Sequence, residues 1–134
     1  MKAQFINAKE QKLEIRELKT SRLKSLQEMV EGYIEVGQVF PMSGTYEQAL
    51  LINEEGLLNK GITYGFAIPA DENGGEYFFI GNGVLSATDP NTGETVSLKL
   101  PYGEDQVRWL SEEEVKKMRS DFDNGPAFRI LTWK

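Results

Sequence analysis

Turn-forming residues interrupt this sequence so often that only short elements fit between them. Stretches such as "PMSGT" from Pro41, "PADENGGE" from Pro69, "GNG" from Gly81 and "DPNTGE" from Asp89 separate runs of a few apolar residues. Glycine adopts backbone conformations that other residues resist, and proline, asparagine and aspartate start or close turns, so these clusters end strands and helices alike. The runs between them are rich in β-branched and aromatic residues: "AQFINA", "KLEIREL", "YIEVGQVF", "QALLIN", "GITYGFAI", "YFFIGNGVLSATD", "TVSLKL" and "AFRILTW". They read as strands. The first two, joined by "KEQ", form a half-buried hairpin, and Gly-Asn-Gly reads as a bulge or a tight hairpin turn.

Helical spacing occurs twice. In "TSRLKSLQEMVEG", Leu23, Leu26, Met29 and Val30 share one face, Thr20 or Ser21 caps the start, and Gly32 closes the end. In "WLSEEEVKKMRSDF", Ser111 and Glu114 form a capping box, and Leu110 and Val115 stand where a hydrophobic staple needs them. Glu112 to Glu114 face the positive end of that helix dipole, with Lys116, Lys117 and Arg119 nearer the negative end. The order is β-β-α-β-β-β-β-β-α-β. The expectation is an α+β fold, one domain with a mostly antiparallel sheet and two amphipathic helices on one face.

Composition narrows the chemistry. A chain of 134 residues buries a sizeable core, and it has neither cysteine nor histidine. Disulfides, thiolate nucleophiles, cysteine metal sites and histidine acid–base catalysis are therefore excluded. Catalysis would rest on carboxylates, hydroxyls, lysine or an oxygen-bound metal, so a binding protein is the better expectation than an enzyme. No cofactor is expected. Net charge is −6, and residues 61–134 carry seven Lys/Arg against twelve Asp/Glu. That lacks the basic stripe of a nucleic-acid binder. No apolar run is long enough to span a membrane and no leader pattern opens the chain, so the expected location is the cytoplasm.

Several motifs fail on inspection. "GNGVLS" lacks the third glycine and the following helix of a dinucleotide site. "DFDNG" from Asp121 lacks the ligands and glycine of a calcium loop, since Gly125, Pro126 and Thr132 occupy the deciding positions. "SEEEV" is accounted for by capping. Glu54 and Glu55 in "NEEG" read first as turn residues, with Asn53 capping the turn and Gly56 taking a positive φ. No metal site is expected.

The blocks "VEGYIEV … LLINEEGLLNKG", followed by "FIGNGVL" and "LSEEEVKK", are similar to a family of small proteins with a domain-of-unknown-function label, encoded mainly by bacteriophages, plasmids and gut-bacterial mobile elements. The resemblance runs from about Lys12 to Met118. The sequence departs from the family pattern after "NEEG", where "LLNKGITYG" replaces a Leu-Pro-x-Asn segment. The resemblance implies an accessory gene acting against host defence, and makes Asn53, Glu54, Glu55 and Gly56 a shared feature.

The resulting expectation is a non-enzymatic counter-defence protein. It either sequesters a small nucleotide-type signal or occludes a host defence protein. Tyr33, Asn53, Glu54, Asn59, Tyr64 and Arg108 are the candidate ligand-binding residues, chosen for aromatic stacking and polar contacts. The strand "AFRILTW" is a candidate edge for a homo-oligomer. The rival readings are a carboxylate/Mg²⁺ phosphodiesterase or nuclease, and a virion structural or assembly protein.

Overall fold

A computed structural model describes residues 2–18, 22–32, 34–41, 47–53, 56, 59–69, 75–89, 91–92, 95–98 and 100–123. Strands β1 (Lys2–Asn7) and β2 (Lys12–Glu17) form the expected hairpin, paired from Lys2↔Glu17 to Asn7↔Lys12. Helix α1 (Arg22–Val30) precedes β3 (Ile34–Pro41), β4 (Glu47–Asn53), β5 (Gly65–Pro69), β6 (Glu76–Ile80) and β7 (Gly83–Thr88). The two-residue strands β8 (Thr95–Val96) and β9 (Arg108–Trp109) lead to helix α2 (Glu112–Asp123). The expected closing strand "AFRILTW" lies outside the described residues.

The fold is α+β, with every strand pairing antiparallel, but the strands divide between two sheets. One has the order β2-β1-β7-β4-β3, with β8 appended to β7; the other has the order β6-β5-β9. Ile6, Leu50 and Leu85 of the larger sheet meet Phe66, Ile68 and Phe79 of the smaller in the central core. Alternation along β5 sends Ala67 the other way, toward Val115 and Met118 of α2. β5 is thus buried on both faces, which is why its sequence reads as an unbroken apolar run. On the outer face of the larger sheet, Met29 and Val30 of α1 pack with Phe5 and Val84.

Two expectations are corrected. The helices do not share a face: α1 covers the larger sheet and α2 the smaller, because each sheet gives its inner face to the other. Gly81-Asn82-Gly83 is neither bulge nor hairpin, since it carries the chain from β6 in one sheet to β7 in the other. Gly81 makes that change of direction at φ 99°, a region open to glycine, while its N–H donates to the Tyr64 carbonyl at 2.8 Å.

Buried amide side chains stand in for missing ladder partners. Gln4 and Tyr102 exchange two hydrogen bonds, Tyr102 N–H to the Gln4 amide oxygen at 2.7 Å and the Gln4 NH₂ to the Tyr102 carbonyl at 2.8 Å. Gln48 does the same with Leu100, at 3.0 and 3.1 Å. Both glutamines are nearly inaccessible, so each satisfies its own amide while pinning a strandless segment to the sheet.

Candidate functional site

The site is built at the C-terminal end of α1. A helix leaves its last carbonyls without internal partners. Here Glu31 takes the left-handed conformation, at φ 64°, and Gly32 N–H donates back to the Gln27 carbonyl at 3.0 Å, closing a Schellman turn. The left-handed position therefore falls on Glu31, not on the glycine. Gly32 is needed for a different reason: a Cβ there would lie 2.7 Å from the Asn53 amide nitrogen.

That nitrogen donates to the Val30 carbonyl at 2.9 Å and to the Glu31 carbonyl at 3.3 Å. Asn82 donates to the Met29 carbonyl at 3.2 Å, and its oxygen accepts Lys9 N–H at 3.1 Å. Asn53 and Asn82 are each only 4% exposed. Together they fix the end of α1 against β4, the β6–β7 crossing and the β1–β2 turn.

Glu31 projects outward from this fixed point. Its carboxylate accepts a hydrogen bond from the Tyr64 hydroxyl and lies 3.8 Å from the Lys9 ammonium. Burial, and then the neighbouring carboxylate, push the Tyr64 phenol above its ordinary range, so it remains a protonated donor. Tyr64 closes a short loop in which the Asn59 carbonyl accepts Ile62 N–H at 3.0 Å and the Asn59 side-chain oxygen accepts Gly61 N–H, also at 3.0 Å. Arg119, on α2, ties that loop down by donating to the carbonyls of Gly56, Asn59 and Ile62.

These segments wall a groove of about 710 Å³, lined among others by Lys9, Gln11, Glu31, Asn59, Tyr64 and Glu112. A second hollow of about 490 Å³ shares Lys9 and Glu31 and continues along Phe5, Arg16 and Met29. The Lys9–Glu31 pair forms part of the lining of both.

Of the six sequence candidates, the structure brings Asn59 and Tyr64 together in one groove. Asn53 is a buried helix cap. Its carbonyl also accepts Gly56 N–H at 3.2 Å. Arg108 does not line this groove. It holds Glu76 through two hydrogen bonds, at 3.0 and 3.1 Å, and Glu114 through one at 2.9 Å. Those carboxylates, Glu76 first, raise its pKa further. Tyr33 and Glu54 lie outside the described residues, as does Glu55. Lys9, Gln11 and Glu31 went unnoticed in the sequence, because a lysine in a turn and a glutamate after a helix carry no distinctive spacing.

The capping box at α2 is present in full. Ser111 N–H donates to the Glu114 carboxylate at 3.1 Å, and Glu114 N–H to the Ser111 hydroxyl at 3.2 Å, while Leu110 and Val115 are buried beneath. Among the described residues no three acidic side chains gather as a metal site, and no helix is long and apolar enough to cross a membrane.

Residues 1–116 match DUF3846, a domain of unknown function. The chain belongs to this family. The DUF3846 match takes in the N-terminal hairpin as well as the "GYIEV" and "NEEG" blocks, and contains every groove residue named above. Compared with curated proteins and with solved structures, the chain finds no match.

Proposed function

We propose that this DUF3846 protein is a non-enzymatic binding protein of a phage or mobile element, acting in the host cytoplasm by sequestering a small nucleotide-type signal in the groove at Tyr64. The observation that carries this reading is the convergence of four separate segments on that groove, each fixed from behind by a polar side chain. Asn53 and Asn82 hold the end of α1, Asn82 also holds the β1–β2 turn, Arg119 holds the Asn59–Tyr64 loop, and the Ser111–Glu114 box holds the start of α2. Main chain held in this way presents the groove's side chains from fixed positions, which is what selective recognition requires.

The groove's chemistry narrows the ligand. The half-buried Tyr64 ring suits stacking with a base, and Glu31, Asn59 and Gln11 suit the hydroxyls and ring edges of a nucleoside. Lys9 pairs with Glu31, and Glu112 adds a second carboxylate to the groove's lining. That balance suits the nucleoside end of the ligand rather than a run of phosphates.

A thermal-shift screen tests this with nucleosides, mononucleotides, cyclic di- and trinucleotides and nicotinamide-derived ribose compounds. A ligand present at a hundred times its dissociation constant stabilises by about 2.7 kcal/mol, which moves the midpoint by several degrees. A flat screen contradicts the groove reading and moves the weight to occlusion of a host effector protein, for which a pull-down from host lysate is the assay.

A further inference from the structure

We propose that β2 is the contact through which two copies of this chain join edge to edge into one continuous antiparallel sheet. β2 ends the strand order β2-β1-β7-β4-β3, and among the described residues no strand lies on its outer side. Such an edge presents main-chain donors and acceptors at the spacing of another strand. At its middle, Ile15 is 53% exposed.

Face parity and charge identify the occupant as a second copy. The pairing of β1 with β2 puts Lys12, Glu14 and Arg16 on the Phe5 face, and Leu13, Ile15 and Glu17 on the Ile6 face. A two-fold axis normal to the sheet joins two β2 strands antiparallel. Both faces then stay continuous only if residues of the same parity oppose each other. Centring on Glu14 sets that carboxylate against its own copy and Lys12 against Arg16. Centring on Arg16 opposes two guanidinium groups. Centring on Leu13 overlaps only residues 12–14 of the strand.

Centring on Ile15 avoids all three faults. Ile15 meets Ile15 across the axis, and each Glu14 faces the second copy's Arg16. Opposite charges in directly facing cross-strand positions are favourable, and like charges are unfavourable. The charges are already poised on one face: Arg16 lies 3.3 Å from Glu14 within the chain and 4.4 Å above the Phe5 ring. Both side chains are partly exposed, so each can exchange its partner for the symmetry-related one. Six-residue strands make a small contact, and the dimer is accordingly concentration-dependent. This contact differs from the "AFRILTW" edge suggested by the sequence, and it is independent of the groove.

The test is sedimentation equilibrium on the full chain over a wide concentration range, with circular dichroism to verify folding. Wild type is expected to dimerise, E14R and R16E to be monomeric alone, and an equimolar mixture of the two to dimerise, because each then supplies the charge the other lacks. I15D, an independent variant, is expected to be monomeric. A monomeric wild type, a monomeric mixture of folded variants, or single variants that dimerise as well as wild type each overturn the proposal. Should either charge variant fail to fold, I15D decides: a folded I15D that dimerises like wild type overturns it.

Discussion

The side-chain amide of Asn53 donates to the Val30 carbonyl at 2.9 Å, so the last turn of α1 is closed by a strand residue twenty-three positions further along the chain. The same nitrogen reaches the Glu31 carbonyl, which makes one buried side chain responsible for two of the helix's terminal acceptors. Replacing Asn53 by alanine leaves both carbonyls without that donor, the Val30 carbonyl in a buried setting. A loss of about 1–3 kcal/mol is expected from urea unfolding. A loss below a few tenths would show that the amide contributes little to holding the helix end.

Glu31 sits in a backbone conformation that glycine tolerates better, at φ 64°. Its Tyr64 and Lys9 contacts are exposed, and such contacts contribute little to stability. Glu31→Gly is therefore expected to stabilise the fold by up to about 1 kcal/mol while removing the groove's central carboxylate. Thermal unfolding checks the first part. A destabilised variant would mean that the carboxylate contacts outweigh the backbone relief.

Arg119 links α2 to the three carbonyls of Gly56, Asn59 and Ile62. Burial lowers its pKa, although arginine remains charged under all ordinary conditions. Arg119→Ala is expected to cost about 1–3 kcal/mol. It is also expected to speed hydrogen exchange at Gly61 and Ile62 before the rest of the protein loosens. Arg119→Lys supplies a compact cation without the planar fork, so it restores only part of the protection.

Glu114 is held below the ordinary glutamate range, first by Ser111 N–H and further by Arg108. A carboxyl whose folded pKa is depressed contributes stability that is fully present above the unfolded value, about 4.3. The contribution is lost as pH falls through the folded value. Chemical denaturation between pH 6 and pH 3 is expected to show a smaller fall in stability for Glu114→Gln than for wild type. Equal slopes would mean that other carboxylates govern the acid limb.

Much of the fold was legible because its signals are local. The β1–β2 hairpin, both helices and the Ser111–Glu114 box each follow from spacing within a few residues. The division into two sheets was not legible, because nothing in "YFFIGNGVL" records that β6 pairs with β5 while β7 inserts between β1 and β4. β9 is two residues long and has no period to detect. The candidate site divided in the same way. Tyr64 and Asn59 were recognisable only as an aromatic and an amide, since "GITYGFAI" reads as one strand while β5 begins at Gly65 and leaves Tyr64 in the preceding loop. The roles of Asn53 and Arg108 depend on Val30, Glu76 and Glu114, residues remote in sequence. Glu31 was hidden because the glycine beside it drew the helix-ending role.

The most direct test of the binding account is a thermal-shift comparison of wild type and Tyr64→Ala against the same nucleoside-bearing panel. At least one compound is expected to raise the wild-type midpoint by several degrees, with that shift lost in a folded Tyr64→Ala protein. No shift in wild type, or an equal shift in both proteins, would contradict the assignment of the groove.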